Sequence, residues 1–160
     1  MADALKKLPP DIGVDLLLVD GEDYGSFDDQ NLDVMIGAQY FAGHMPAGYR
    51  PLFAVLWDMV ADYTQEFAQE EHSLRGAPEV VERVWTTAER IGLGRIFRNR
   101  QVGAITDDHV PLQQAGLRII DVIDCCNTEY PYWHTTQDTP DKVSPAALAN
   151  VGRLALALVR

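Results

Sequence analysis

The sequence predicts an α/β sandwich built on a mostly parallel sheet. Two observations predict it. Three short, nearly continuous apolar runs occur at residues 14–19 (VDLLLV), 52–57 (LFAVLW) and 117–123 (LRIIDVI), and segments with helical period lie between and after them. An apolar run closed by turn residues reads as a strand covered on both faces, because parallel crossovers place helices on both sides of a sheet.

Taken in order, the first run sits between PPDIG and DG. Leu32, Met35, Ile36 and Tyr40 then repeat at helical spacing and predict the first helix. After the second run come Val80, Val81, Val84, Trp85, Ala88 and Ile91 on one helical face, with Pro78 near the start and Gly92 just past the end. A short helix is expected over VPLQQAG, ahead of the third run. In the last helix Ser144 is the expected N-cap, Pro145 opens the first turn, and Leu148, Val151, Leu154, Ala155 and Leu158 form the stripe.

At 160 residues and 47% hydrophobic content the chain suffices for one core, and no repeat or linker composition divides it. Its 13 Lys and Arg against 24 Asp and Glu leave a net charge of −11, which repels phosphate backbones and anionic lipids, so nucleic acid is not an expected partner. No apolar stretch approaches the roughly 18 residues that span a bilayer, and the start MADALKKLPP holds no secretory apolar segment, so the chain reads as soluble and unaddressed. Cys125 and Cys126 are adjacent, which denies them the spacing of zinc ligand pairs or of a redox dithiol; they read as small apolar loop residues.

In parallel sheets ligands bind beyond the carboxyl ends of strands. Glu22 and Asp23, Asp58, and His134 all follow apolar runs and qualify by position. Adjacent carboxylates repel and push one pKa up unless a cation neutralises them. In VDGEDYG, Asp23 could coordinate zinc while Glu22 accepts a proton, or the stretch is a solvated turn. In ITDDHVPL, Asp107, Asp108 and His109 could be ligands or a proton relay, or one Asp caps the following helix. In YPYWHTTQDTPDKVSP, His134 follows three aromatics and suits a zinc ligand beside an apolar pocket, although a loop histidine is usually without a role. Asp138 and Asp141 read as turn residues. Asp58, ending the second run in LWDMVAD, needs a cation or donor nearby.

Together and in this order, VDGEDYG, LWDMVAD, ITDDHVPLQQAG and YPYWHTTQDTPDKVS resemble the zinc aminopeptidases of metallopeptidase family twenty-eight and their relatives the glutaminyl cyclases. The likeness runs from about Val14 to the C-terminus. It implies a three-layer α/β fold with helices on both faces of the sheet, and it implies roles. Glu22 is then the general base or acid, Asp23 and His134 are ligands of one zinc, and Asp58 holds a second zinc in a two-metal peptidase or joins a carboxyl relay in a one-metal cyclase. Asp107 completes that relay, and Trp133 walls the pocket for the substrate's N-terminal side chain.

Family members also carry a His and a metal-bridging Asp upstream of the acidic pair, and only 13 residues precede Val14. The resemblance therefore implies that residues 1–160 are the C-terminal part of a single catalytic domain, truncated at the N-terminus, with 1–10 the tail of a helix. Alone, the chain is expected to bind zinc weakly and to turn over little. The leading expectation is a zinc-dependent aminopeptidase acting on peptides with a free N-terminus, in which zinc activates water and Glu22 is the base. The alternatives are cyclisation of N-terminal glutamine to pyroglutamate, and an inert binding domain with an incomplete metal site.

Overall fold

The structure, a computed structural model, describes residues 2–9, 11–26, 33–124 and 130–160. Its elements in chain order are α1 (Ala2–Leu5), α2 (Ile36–Gly43), β1 (Ala54–Asp58), β2 (Phe67–Gln69), α3 (Glu71–Gly76), α4 (Pro78–Arg90), β3 (Phe97–Gln101), α5 (His109–Gln114), β4 (Ile119–Ile123), a 3-10 turn (Pro140–Lys142) and α6 (Pro145–Leu158). Cys125, Cys126 and Leu32 lie outside the described residues.

The second and third apolar runs become neighbours. β1 and β4 pair in parallel, from Ala54 opposite Ile119 to Asp58 opposite Ile123. Side chains alternate across a strand, so the two faces of β4 meet different layers. Ile120 and Val122 join Val84, Trp85 and Leu154 in a core with α4 and α6, while Ile119 joins Val34, Ala38 and Leu112 in a core with α2 and α5. Helices thus cover both faces, as expected of the three-layer α/β fold. A second parallel pair, β2 with β3, stands as a separate short sheet. Neither was legible as a strand: β2 has three residues, and β3 (FRNRQ) buries only Phe97.

α4 and α6 follow their sequence signals, whereas the stripe expected for α2 faces the core only in part: Ile36 is 41% and Tyr40 66% exposed, and Ala38 is buried instead. α4 opens on Pro78 and buries Val80, Val81, Val84, Trp85 and Ala88. It stops at Gly92, in the left-handed region at φ +83, where the Gly92 amide donates to the Glu89 carbonyl (3.0 Å) and the Leu93 amide to the Ala88 carbonyl (2.8 Å). Those two bonds satisfy carbonyls the last turn leaves open. In α6 the Ser144 hydroxyl accepts from the Ala147 amide at 3.2 Å, as a cap should. The stripe differs from expectation by one position: Ala147 is buried with Val151, Leu154 and Leu158, whereas Leu148 is 47% exposed.

The 14–19 run is the main correction. It forms no strand, and Leu18 is 94% exposed. A strand exists only by exchanging backbone hydrogen bonds with a neighbour, and among the described residues none pairs with this run. Hydrophobicity alone therefore did not make it a strand. Its C-terminal end is nevertheless anchored, because Val19 packs against the α2–α5 core. Among the described residues no helix is long and apolar enough to cross a membrane.

Candidate metal and proton-transfer site

The end of the first run is bolted to the start of α2. The Asp20, Gly21 and Glu22 carbonyls accept from the Gly37, Ile36 and Met35 amides at 2.9, 3.2 and 2.9 Å. The contact is so close that a Cβ at Gly37 would stand 2.6 Å from the Asp20 amide nitrogen, so only glycine fits there. This clamp holds the turn carrying Glu22 and Asp23. Asp58 closes β1, Asp107 and Asp108 precede α5, and His134 arrives on the loop before α6.

These groups converge. His134 Nε2 lies 3.2 Å from Asp23 Oδ2, both side chains being about half exposed. Asp58 lies close enough to Asp107 to raise it by its charge and feels the charge of Asp23, while Glu22 feels Asp23, Asp107 and Asp58. Trp133 stacks on the His134 ring, centroids 4.1 Å apart, but is 59% exposed, so it borders the site as an open wall. Among the described residues, the non-glycine positions with left-handed backbone are Met35, Met59 and His134, and all touch this region. Such strain persists where surrounding structure imposes it.

Crowded carboxyls hold their protons. Burial, followed by the hydrogen bond and charge of Asp23, pushes Glu22 up to about 8. Asp107 and Asp108 rise to about 6, mainly through burial and then through the charge of Asp58. Asp58 is also raised by burial, although a hydrogen bond from the Met59 amide opposes the shift. The suggestion that Asp107 or Asp108 caps α5 is not realised: Asp108 occupies the cap position without a side-chain cap bond, and Asp107 Oδ1 instead accepts from the Asp108 amide at 2.5 Å.

Beneath lies a polar knot of which the sequence singles out only His109, fully buried here rather than open to a ligand. Glu70, fully buried, caps α3 by accepting from the Ser73 and His72 amides, accepts from the Ile105 amide at 3.4 Å, and stands 3.3 Å from the equally buried His109 Nε2. Burial works against its charge, but the adjacent His109 ring and the bond from the Ser73 amide prevail and hold it at about 2. The Ser73 hydroxyl accepts from the Asp121 amide at 2.8 Å, and among the described residues neither carboxyl oxygen of Asp121 has a partner. Burial, and then the charges of Asp107 and Asp58, drive Asp121 well above the usual carboxyl range. Two signals were available in the sequence: a carboxylate inside the apolar run IIDVI, and an acid three residues before Ser73 at a helix start.

Carboxylate oxygen and imidazole nitrogen are zinc donors, and a tetrahedral ion with donors at roughly 2.0–2.2 Å separates them by roughly 3.3–3.5 Å. The Asp23–His134 spacing of 3.2 Å agrees with two corners of such a site. Among the described residues no group of three or more His, Cys, Asp or Glu is placed to share an ion. The residues present thus fit zinc as a partial donor set.

Parallel strands between helical layers, with acids and a histidine gathered past their carboxyl ends, define a three-layer α/β domain with a candidate ligand site at the strand ends. The model of peptidase family M28 matches residues 1–159, and the chain belongs to that family. It is similar to a glutaminyl cyclase of Fimbriiglobus ruber (34% identity, TM-score 0.84), covering 99% of this chain and 56% of that one. It is also similar to a leucine aminopeptidase precursor of Bacteroides thetaiotaomicron (32%, 0.80, 88% and 50%) and a Zn-dependent exopeptidase of Parabacteroides distasonis (31%, 0.80, 88% and 52%). The chain spans about half the length of these solved structures. No curated protein matches it.

Proposed function

We propose that this chain carries the proton-transfer half of a zinc-dependent enzyme acting at peptide N-termini, and that the reaction is cyclisation of N-terminal glutamine. The observation that supports cyclisation over the hydrolysis expected first is the crowding of Asp58 and Asp107 with Glu22, close enough that their charges raise one another. Carboxyls this close titrate together and can pass a proton among themselves.

In this reaction the substrate's α-amine attacks the γ-carboxamide carbon, a ring C–N bond forms, the bond to the side-chain nitrogen breaks, and ammonia leaves. Glu22 accepts the proton from the attacking amine and returns it to the departing nitrogen. Asp58 and Asp107 lie within electrostatic reach of Glu22 and respond to its charge changes. Asp23 and His134 would hold zinc, which when bound polarises the carboxamide carbonyl. Zinc held there would also offset part of the repulsion from Asp23 that, after burial, keeps Glu22 protonated. Trp133, beside His134, offers a flat apolar surface to the substrate.

Peptide-bond hydrolysis is the second reading, supported by the family match and by the similarity to a leucine aminopeptidase precursor. With zinc supplied, ammonia release from Gln-peptides is compared with amino-acid release from Leu-peptides. Cyclisation predicts ammonia release in excess; faster leucine release would overturn it. Neither product above the uncatalysed background would favour an inert binding domain.

A further inference from the structure

The loop after β1 and the segments flanking the 3-10 turn enclose a cavity of about 260 Å³, whose lining includes Met59, Asp62, Asp124, Tyr130, Asp138 and Lys142. None of the proposed catalytic or metal-binding residues lines it. Its frame is built rather than incidental. The Ser144 amide donates to the Ala61 carbonyl at 2.8 Å, and the Gln65 side chain donates to the Val60 carbonyl at 2.6 Å, which ties the loop to the start of α6.

The charges inside are unbalanced. Among the described lining residues three carboxylates face one ammonium, and Lys142 is already paired with Asp141 and lies 4.9 Å from the centre of the Tyr132 ring. Asp138 accepts from the Tyr130 hydroxyl, and Asp62 from Thr64 at 2.6 Å. Asp124 is the exceptional group. It is 3% exposed, its Oδ2 accepts from the Glu66 amide at 3.2 Å, and its Oδ1 is buried without a partner among the described residues. A buried carboxyl oxygen without a donor is costly and should be met by a donor. Burial, together with the charges of Asp62 and Glu66, pushes Asp124 up to about 6, a further sign of missing positive charge.

We propose that this cavity receives the basic side chain, ammonium or guanidinium, of a bound peptide, with Asp124 as its main acceptor. The volume lies just under the roughly 300–1,000 Å³ of small-molecule pockets and suits one side chain. Met59, Val60 and Val143 match the methylene stem of Lys or Arg, which packs on apolar surface while its head is hydrogen-bonded. A bare metal ion is a poorer occupant, because among the described residues no three acids or histidines are placed to share one. The position also fits a peptide. Met59 directly follows Asp58, and Tyr130 lies a few residues before Trp133 and His134, so the cavity adjoins the site where the N-terminus is proposed to react. The inference rests on that reading for its substrate class: peptides with Lys or Arg shortly after the N-terminal residue.

The test is amide NMR titration of the 160-residue chain without zinc, so that a failure here is separate from a failure of the proposed reaction. The probes are the acetyl-N-methylamides of lysine and arginine, their neutral counterparts from norleucine and citrulline, and ammonium and calcium chloride alone. The basic probes should bind about tenfold more tightly than the neutral ones, the worth of a charge-assisted hydrogen bond, with shifts centred on residues 59–62 and 143. Asp124→Asn should remove the preference; if that variant does not fold, the wild-type shift map decides. Equal affinity for neutral probes, shifts centred elsewhere, preference retained in Asp124→Asn, or the simple ions binding as tightly as the side-chain probes would each overturn the proposal.

Discussion

His134 Nε2 lies 3.2 Å from Asp23 Oδ2, although the two residues come from opposite ends of the chain. The His134 backbone is left-handed at φ +56 to place the ring there, and Trp133 packs flat against it. If this contact marks two corners of a zinc site, Asp23→Asn and His134→Ala should each weaken zinc binding by at least about tenfold, the low end for groups that merely orient ligands. Competition with a chromogenic chelator measures it, and unchanged affinity in both variants would remove zinc from this position. The wild-type chain itself should bind zinc more weakly than a site with three protein ligands.

Stability should fall as pH rises toward neutrality. Asp107, Asp108 and Asp124 have folded pKa values of about 6 against an ordinary 3.8. Between those values the folded state binds more protons than the unfolded one, so each group's contribution is present below about pH 4 and lost as pH climbs through 6. Glu22, at about 8, extends the decline. Urea midpoints measured from pH 4.5 to 8 should decrease, and a rising curve would contradict the crowding of carboxyls described above.

Asp107→Asn should separate structure from chemistry. It removes a charge that raises Asp121 and Glu22, so the unfolding free energy at pH 7 should increase by about 1 kcal/mol and its fall with pH should flatten. In the proposed reaction the same change should lower kcat by roughly 10²-fold or more with little effect on KM. Lost stability together with unchanged kcat would assign Asp107 a structural role only.

Glu70 should behave in the opposite sense. Its folded pKa of about 2 lies below the ordinary 4.5, so its contribution is full above 4.5 and disappears as pH falls toward 2. Glu70→Ala removes the α3 cap and leaves His109 buried without its partner, at an expected cost of about 3–5 kcal/mol. Glu70→Gln, which keeps the shape and an acceptor oxygen, should cost less. Chemical denaturation at pH 7 ranks the three proteins.

The parts of this protein legible in its sequence are those governed by short-range rules. The α4 stripe, its proline start and its glycine stop involve residues a few positions apart, and Ser144 caps α6 through a bond three residues away. The second and third apolar runs read correctly as strands because each found a partner in the other. The first run carried the same signal and formed no strand, since sheet membership is a property of pairs. β2 and β3 failed the opposite way: too short and too polar to be noticed, they are strands because their backbones meet.

Glu22, Asp23, Asp58, Asp107, Trp133 and His134 could be singled out from local pattern and from resemblance, but only the folded chain brings them within reach of one another. The same holds for Glu70 with His109, and for Asp121 with oxygens unpartnered among the described residues. Residue order alone determined which stretches could coil, which could pair, and the excess of negative charge. Tertiary packing decided which acids lose their water and face each other, because desolvation and Coulomb repulsion depend on distance through space and on burial.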